Sequence, residues 1–341
     1  MKDKEDSLFS PSSKTSRFLM RIRLFMQRLR STIFRRRVVL LIVLAFLVAF
    51  HFLSEDGLSF LPSPSLFRWG SSKFVIILAV NQGGGVMHWK APKEWALEKS
   101  SIANKKAYAN RHGYDLAIQD MSIKKRYAHE WRESWEKVDV IRQTMKQYPK
   151  AEWFWWLDLH TFIMEPQISL ERHVFNKIEN TTYRTLSYYN PLNIPVDIPF
   201  VDPNHQINLV IPQDCGGFNL GSFFIRRSDW TDFLLDLWWD PVFYEQRHMQ
   251  WEHKEQDALE HLYIGQPWIR SGTSFIPQRM INSFPPGACA EQAGDNRIFY
   301  DQKDRDFVVN MAGCEWGRNC FEEMEHFEKL SISLHAKKKW F

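Results

Sequence analysis

The sequence has few of the residues that build metal-stapled or dinucleotide-binding proteins. Only 4 cysteines and 15 glycines occur among 341 residues. The cysteines lack the Cys-x-x-Cys spacing of structural zinc sites, and no glycine stretch has the Gly-x-Gly-x-x-Gly pattern of dinucleotide-binding turns. No internal repeat is visible, and the basic residues lack the interleaved aromatics that favour nucleic acid. These absences disfavour zinc modules, dinucleotide enzymes, repeat arrays and nucleic-acid-binding proteins.

Long apolar runs are also scarce, and the longest one free of Asp, Glu, Lys and Arg is residues 38–53, VVLLIVLAFLVAFHFL. Residues 1–37 carry 11 Lys or Arg against 3 acids, whereas residues 38–341 carry 33 against 37. A span usually needs ~20 residues, but flanking side chains can snorkel and secretory-pathway bilayers are thin. Because the cationic side stays in the cytosol, the pattern predicts a single-span, type II signal anchor with a luminal body.

A cleaved signal peptide is the alternative to this anchor. The cationic region is long for a signal peptide, and no small-x-small cleavage site follows the apolar run, so the uncleaved anchor is favoured. The chain then divides into four predicted segments: a cytosolic basic tail (1–37), a transmembrane signal anchor (38–53), a luminal stem rich in Pro and Ser (54–72) and one α/β domain (73–341).

A luminal body permits disulfides and glycosylation. Cys314 and Cys320 can close a short loop, whereas a pairing of Cys215 with Cys289 is left open. The sequence Asn180-Thr181-Thr182 is a glycosylation acceptor if the domain is luminal.

Residues 153–164, WFWWLDLHTFIM, place one carboxylate directly after a strongly apolar run. Such a run is typical of a strand that is buried on both faces. Asp158, at its end, would lie at the sheet edge where open α/β folds bind ligands, and His160 points the same way in an extended turn. Carboxylate and imidazole together suit Mn²⁺, so a metal and phosphate site is predicted. An ordinary Asp turn beside a surface histidine is the alternative.

Strands and helices alternate along the chain, which predicts a Rossmann-like α/β domain with a mainly parallel sheet. The predicted strands are residues 74–80, 114–119, the apolar run from 153 that ends at Asp158, a turn and strand within 216–225, and a strand that runs into a turn within 307–314. The predicted helices are residues 94–112, 131–148, 168–174, 229–239 and 252–264. The proline-rich residues 190–214 are predicted to form a long binding loop or lid.

Polar residues near these predicted strand ends and helix starts are candidates for contact with an anionic or sugar ligand. For Glu255, Gln256 and Asp257 there is a structural alternative, because acids in the first turns of a helix also pair with the helix dipole. Lys137 is predicted to lie off the apolar stripe of its helix. The candidates are Asn81, Gln82, Lys137, Asn219, Gly221 and Arg318 for donor binding, and Glu255, Gln256 and Asp257 for the sugar and its developing charge.

Four sequence blocks resemble the fungal and plant family of retaining Golgi glycosyltransferases, glycosyltransferase family 34, which includes galactosyl-, xylosyl- and α-1,6-mannosyltransferases. The blocks are EKVDVIRQTMKQYPKAEWFWWLDLHTFIM, CGGFNLGSFFIRRSDW, EQDAL and FVVNMAGC, and they extend over roughly residues 73–334. The resemblance implies a GT-A-type nucleotide-sugar-binding domain in the Golgi lumen, with Mn²⁺ as cofactor and retention of configuration.

The same resemblance implies a metal site with two departures from the family pattern. The family's Asp-x-Asp motif and a late His hold manganese, which makes Asp158, His160 and Asn310 the corresponding ligands here. His160 replaces the second Asp and Asn310 replaces the late His, so one negative charge is lost and a weak amide oxygen is gained. A weaker metal site is expected from these changes.

The function implied by the resemblance is an α-1,6-mannosyltransferase that moves mannose from GDP-mannose to the mannan backbone of N-glycans. It would act with other mannosyltransferase subunits in a Golgi mannan polymerase complex. The altered ligands motivate a second hypothesis, a non-catalytic or weakly catalytic structural subunit. A module that only holds the acceptor and a UDP-galactose-dependent α-galactosyltransferase are further alternatives.

Overall fold

The computed structural model of the chain describes residues 72–80, 91–120, 135–195, 202 and 204–336. The predicted tail, anchor and nearly all of the stem, as well as Asn81 and Gln82, lie outside the described residues. Within the described ranges, no helix is both long enough and apolar enough to span a membrane. The four-segment division of the chain therefore stays a prediction.

Eleven strands occur in the described part of the chain. They are β1 (Phe74–Val80), β2 (Asp115–Asp120), β3 (Trp153–Leu157), β4 (Thr161–Ile163), β5 (Leu209–Ile211), β6 (Gln213–Asp214), β7 (Gly217–Phe218), β8 (Ser222–Arg226), β9 (Thr273–Phe275), β10 (Pro286–Cys289) and β11 (Val308–Asn310). The α-helices are α1 (Pro92–His112), α2 (Glu136–Gln147), α3 (Leu170–His173), α4 (Ile178–Thr181), α5 (Asp229–Trp238), α6 (Pro241–Arg247), α7 (Glu255–Gly265), α8 (Pro267–Gly272), α9 (Gln278–Ile281) and α10 (Cys320–His335).

Six strands form the central sheet in the order β2-β1-β3-β8-β5-β9. The pairs β1–β2, β1–β3 and β5–β9 are parallel, whereas β8 runs antiparallel to both of its neighbours, β3 and β5. One reversed strand among six confirms the prediction of a mainly parallel α/β sheet. Strands β4 and β11 pair separately, antiparallel, beyond the end of β3.

Strand β3 is buried on both faces, as its sequence predicts. Phe154 and Trp156 pack into one hydrophobic cluster with α2 and α5, while Trp153 and Trp155 pack into another that includes residues of α1. The Trp155 ring lies 5.3 Å from that of Phe224, stacked on it. Because neither face meets water, the strand has no polar alternation, and the first position open to solvent is the residue after it.

Local signals predicted two helix boundaries correctly, the end of α1 and the start of α5, whereas the helix predicted from residue 252 begins at Glu255. Gly113 follows α1 in the left-handed conformation, with φ 72°, and its N–H donates to the Ala109 carbonyl. Only glycine adopts this backbone without cost, so it ends the helix. The Ser228 hydroxyl accepts from the Thr231 N–H and begins α5, as predicted.

The prediction that residues 190–214 form one continuous loop is wrong. Residues 209–211 form β5, which lies inside the central sheet between β8 and β9. Three apolar residues before a proline are too short to show a strand period, and their conformation is set by partners on both sides. The short strand β9 was missed for the same reason.

All four cysteines form disulfides. Cys314 pairs with Cys320, as the spacing suggested, and Cys215 pairs with Cys289 across 74 residues. The second bond joins the β6–β7 turn to the end of β10.

Candidate functional site

Asp158 is the first residue after β3, and its side chain is 43% exposed. Its N–H donates to the Gly221 carbonyl at 2.8 Å, because β3 pairs with β8 so that Leu157 lies opposite Ser222. Its Oδ1 accepts from the indole N–H of Trp156 at 2.6 Å. A carboxylate that the sheet places at the surface and an indole orients is suited to bind a cation or a ligand hydroxyl.

Three polar side chains converge on the α-carbon of Gly221. A methyl group there would lie 2.3 Å from Asn310 Nδ2, 3.1 Å from Asn219 Oδ1 and 3.2 Å from Asp158 Oδ2. No larger residue fits unless these groups move, so glycine is required by close approach. The structure thus brings together four predicted site residues from three separate parts of the chain.

A series of buried amides holds this arrangement. Asn310 Nδ2 donates to Asn282 Oδ1 at 3.0 Å, Asn282 Nδ2 donates to Asn219 Oδ1 at 2.9 Å, and Asn219 Nδ2 donates to Asp214 Oδ2 at 2.6 Å. The three asparagines are at most 5% exposed, and each buried amide has its partners. Sequence reasoning missed Asn282 and Asp214, because neither stands in a motif.

Lys137 lies beneath the cluster and is buried, not off the core as its helical position suggested. Its Nζ lies 3.0 Å from Glu255 Oε1 and 3.7 Å from Asp158 Oδ1, and it donates to the Leu220 carbonyl at 2.9 Å. Burial lowers the pKa of this ammonium, but the two carboxylates outweigh burial and leave the pKa above its ordinary value. Lys137 is therefore a buried cation that neutralises two acids. Its predicted contact with phosphate stays a prediction.

The three residues of the EQD motif point to different partners, because they are successive residues of the first turn of α7. Glu255 pairs with Lys137. Gln256 Oε1 accepts from the Leu220 N–H at 2.8 Å. Asp257 Oδ1 lies 3.3 Å from His253 Nδ1. The first two thus hold the backbone of residues 219–221, while Asp257 belongs to a neighbouring cluster.

That neighbouring cluster contains the carboxylates of Asp214, Asp257 and Glu260 with the imidazole of His253. Glu260 Oε1 accepts from the Phe218 N–H at 2.7 Å, and burial raises the pKa of Glu260 to about 7. The hydrogen bond that His253 donates to the Asp257 carboxylate raises the pKa of His253 to about 9. No local pattern in the sequence indicates this cluster.

His160 lies beside the end of β11, where its carbonyl accepts from the N–H of Met311. Its Nδ1 is 2.8 Å from Glu315 Oε1, and this hydrogen bond, aided by Arg318, lowers the pKa of Glu315. The Arg318 guanidinium donates to the Ala312 carbonyl at 2.7 Å and lies 3.0 Å from Glu323. The predicted His160 and Arg318 therefore share one charged neighbourhood, and Glu315 is a member that sequence reasoning missed.

The turn that carries Asp158 and His160 is supported from below by α1. Ser101 Oγ donates to the Leu159 carbonyl at 2.6 Å, and Lys105 Nζ donates to the Thr161 carbonyl at 2.5 Å and to Ser101 Oγ at 2.7 Å. Burial lowers the pKa of Lys105 to about 7, against a smaller opposing effect of Asp158. Ser101 and Lys105 of α1 thus stabilise the turn through buried hydrogen bonds to its carbonyl groups.

The residues present fit a divalent ion with oxygen and nitrogen ligands. Hydrogen bonding of His160 Nδ1 to Glu315 leaves Nε2 as the nitrogen that would bind a metal, in the carboxylate–histidine arrangement common around metals. At Gly221, Asp158 offers Oδ2, whereas Asn310 offers Nδ2, which also donates to Asn282 Oδ1. Carboxylate, imidazole and amide oxygen together suit Mn²⁺ or Mg²⁺.

A second grouping of ligand-type atoms does not make a thiolate site. In the part of the chain that the structure describes, the one group of three or more His, Cys, Asp or Glu with ligand atoms within 4.8 Å is His160, Cys314, Glu315 and Cys320. Both sulfurs belong to the same disulfide and are not thiolates. The disulfide instead fixes the loop that presents Glu315 to His160.

Comparison with known proteins places this geometry in context. A sequence profile of the galactosyl transferase GMA12/MNN10 family matches residues 70–321. The chain is 58% identical to the "Probable alpha-1,6-mannosyltransferase MNN10" of Saccharomyces cerevisiae, over 80% of this chain and 70% of that protein. It is 52% identical to the "Uncharacterized alpha-1,2-galactosyltransferase C637.06" of Schizosaccharomyces pombe, over 80% of this chain and 79% of that protein.

Among solved structures, a glycosyltransferase involved in the glycosylation of the major capsid of PBCV-1 matches with a TM-score of 0.48 and 16% identity. The match covers 76% of this chain and 100% of that one. Similarity at this level supports no inference about chemistry.

Proposed function

Because the chain belongs to the galactosyl transferase GMA12/MNN10 family, we propose that it transfers mannose in α-1,6 linkage, with retention, from GDP-mannose to the mannan backbone of N-glycans. The 58% identity to a protein named as a probable α-1,6-mannosyltransferase supports the mannosyltransferase assignment. We further propose a GT-A-type fold, a Golgi location behind the predicted anchor, and assembly with other mannosyltransferase subunits.

One observation in this chain carries the proposal: Asp158, Asn219 and Asn310 converge around Gly221 at the carboxyl end of β3. Transfer from a nucleoside diphosphate sugar creates negative charge on the leaving diphosphate and positive charge on the sugar. Such a reaction needs a rigid polar site at one sheet edge with little freedom to reorganise. The buried amides and the tight packing at Gly221 supply that rigidity.

Asp158, His160 and Asn310 would hold the divalent ion. Mn²⁺ held by these residues would supply Lewis-acid neutralisation of the leaving diphosphate. Glu315 orients the His160 ring so that Nε2 faces the ligand. Arg318, in the same neighbourhood, is proposed to add positive charge near the leaving group.

Glu255 and Gln256 act on the other side of the site as positioning residues. Glu255 balances the buried Lys137 cation, and Gln256 fixes the Leu220 N–H. Together they hold the 219–221 backbone, from which the Asn219 side chain projects.

The test is transfer by the full chain in detergent, with GDP-mannose, an α-1,6-mannobiose acceptor, and either Mn²⁺ or a chelator. We expect a Mn²⁺-dependent trisaccharide whose new bond is α-1,6 by NMR. Mannosyl transfer that is unaffected by the chelator would contradict the metal assignment, and a β-linked product would contradict retention.

A galactosyltransferase is the second candidate, because the relative at 52% identity is named as an α-1,2-galactosyltransferase. Running UDP-galactose beside GDP-mannose distinguishes the two, since a product from UDP-galactose alone would replace the mannosyltransferase proposal.

A structural subunit is the remaining alternative, and the two altered ligands motivate it. Here the assay uses the complex with its native partners. Activity that is unchanged by Asp158→Asn in the complex would assign the chemistry to a partner.

A further inference from the structure

An open cleft of about 590 Å³ lies between residues 186–191 and the segment 292–297. Its volume falls in the range of ligand sites, which is about 300–1,000 Å³. Of the proposed metal and donor residues that the structure describes, none lines it. A ligand in this cleft would therefore be held by residues other than the proposed metal and donor residues.

The walls of the cleft are aromatic surfaces fixed by hydrogen bonds. The Tyr189 hydroxyl donates to Gln292 Oε1 at 3.0 Å, and the Arg297 guanidinium lies 4.5 Å over the Tyr189 ring. Tyr188 is 48% exposed, and its ring centroid is 5.0 Å from that of Tyr183. The exposed Tyr188 ring, packed on one side against Tyr183, thus offers an aromatic face to a ligand beside the amide and carboxylate groups of the cleft.

The charges in the cleft favour a neutral ligand. Arg297 makes a two-pronged contact with Asp295, with Nε at 2.9 Å from Oδ1 and the terminal nitrogen at 2.7 Å from Oδ2. This pairing neutralises the cation, and it lowers the pKa of Asp295 so that the carboxyl group stays ionised. Among the described residues that line the cleft, no positive charge is left for a phosphate. A sugar chain would find hydrogen-bond acceptors for its hydroxyls and an aromatic face for its C–H groups.

Direct contacts connect the cleft to the proposed site. Gln213 Nε2 donates to the Tyr189 carbonyl at 2.9 Å. The next residue, Asp214, accepts from Asn219, whose Oδ1 would lie 3.1 Å from a methyl group at Gly221. The Cys215–Cys289 disulfide ties this same turn to the strand that leads into the 292–297 segment. The wall of the cleft is thus joined to the amides around Gly221 through hydrogen bonds of the buried Gln213 and Asn219.

We propose that this cleft binds the acceptor oligosaccharide, with the Tyr188 ring as the surface on which an internal sugar of the chain stacks. This inference rests on the proposed function, because it takes the acceptor to be a neutral chain of hexoses. It identifies Tyr188 as a residue that selects acceptors longer than a disaccharide.

The experiment measures binding of α-1,6-linked mannotriose to the full chain in detergent by saturation-transfer NMR and titration, without donor and without metal. Tyr188→Ala should weaken binding about tenfold, because the stacking face is lost. Tyr188→Phe should bind like the wild type, because the face remains. Trp95→Ala is the matched control, since Trp95 is 45% exposed but does not line the cleft. A thermal melt of each variant verifies folding.

The outcomes distinguish a failure of the cleft assignment from a failure of the proposed transferase function. Equal binding by wild type and Tyr188→Ala, or no binding at millimolar mannotriose, would overturn the cleft assignment even if transfer is observed. Binding that depends on Tyr188 while neither donor gives product would support the cleft and overturn the proposed transferase activity.

Discussion

The polar cluster around Gly221 is held by hydrogen bonds among three buried asparagines, with Asp158 at its exposed edge, whereas the cleft beside Tyr188 is open to solvent. In the cluster, side chains approach so closely that a methyl group does not fit. In the cleft, a tyrosine ring is left half exposed. The difference matches two tasks. Charge that develops for an instant must meet fixed groups, whereas a neutral polymer that enters and leaves needs a surface with weak contacts.

The largest expected effect comes from Asp158→Asn, which removes the carboxylate at the sheet edge. We expect the transfer rate to fall about a thousandfold, because the proposed metal site at the leaving diphosphate loses its carboxylate. Binding of mannotriose should not change. Asp236→Asn is the matched control, since Asp236 is 63% exposed and pairs with Arg142 at the surface. A parallel loss of mannotriose binding would mean that the two regions are not separate.

Gly221→Ala tests the tight packing of the cluster directly. The new methyl group would meet Asn310 Nδ2 at 2.3 Å and push the amide aside, so we expect kcat to fall about a hundredfold. Gly265→Ala is the control, because no atom lies within 4 Å of its added methyl group. Near-normal kcat for Gly221→Ala would show that the cluster adjusts to a methyl group without loss of function, which would contradict a rigid site.

Glu315→Gln tests the charged neighbourhood of His160 and Arg318, which lies outside both the Gly221 cluster and the cleft. The amide keeps a hydrogen bond to His160 Nδ1 but removes the charge, so we expect Mn²⁺ affinity to weaken about tenfold. Direct titration of Mn²⁺ measures this without turnover. Glu325→Gln is the control, because Glu325 pairs with Lys329 at the surface. Unchanged Mn²⁺ affinity would remove Glu315 from the site.

Glu260→Gln should have the smallest effect on activity of these substitutions. Its effect on the free energy of unfolding should be clear. Burial raises the pKa of Glu260 from 4.5 to about 7 in the folded chain, so the folded state holds more protons than the unfolded state between these two values. The free energy of unfolding therefore decreases as pH rises through this window. Asp214, Asp257 and His253 face the same group.

The Glu260→Gln substitution should remove that slope and make the chain about 2 kcal/mol more stable than wild type at about pH 8, above both pKa values. Chemical denaturation of both chains at several pH values measures the effect. Identical slopes for the variant and the wild type would contradict it.

The sequence predicted the parts of this fold that depend on local pattern. The run in β3 indicated a doubly buried strand, Gly113 indicated the end of α1, and Ser228 the start of α5. Strand β5 has no such signal, because three apolar residues become a strand only when β8 and β9 lie on either side.

The candidate site was predictable only in outline. Asp158 stood out because an acid directly follows an apolar strand, and Gly221 because small residues follow a turn. Asn282 and Lys105 carried no signal, since each looks like an ordinary polar residue until distant segments meet it. Lys137 was recognised as a candidate, but its burial against Glu255 depends on tertiary packing that helical periodicity does not contain.

The amides of Asn310, Asn282 and Asn219 have an evolutionary consequence. Asn310 donates to the oxygen of Asn282, and Asn282 donates to the oxygen of Asn219, so loss of any one leaves a buried neighbour without its partner, which costs about 1–3 kcal/mol. A lineage that changes one of them passes through a less stable ancestor unless a second change comes with it. We expect these three positions to vary together among related chains, as a single inherited unit whose first and last members, 219 and 310, are 91 positions apart.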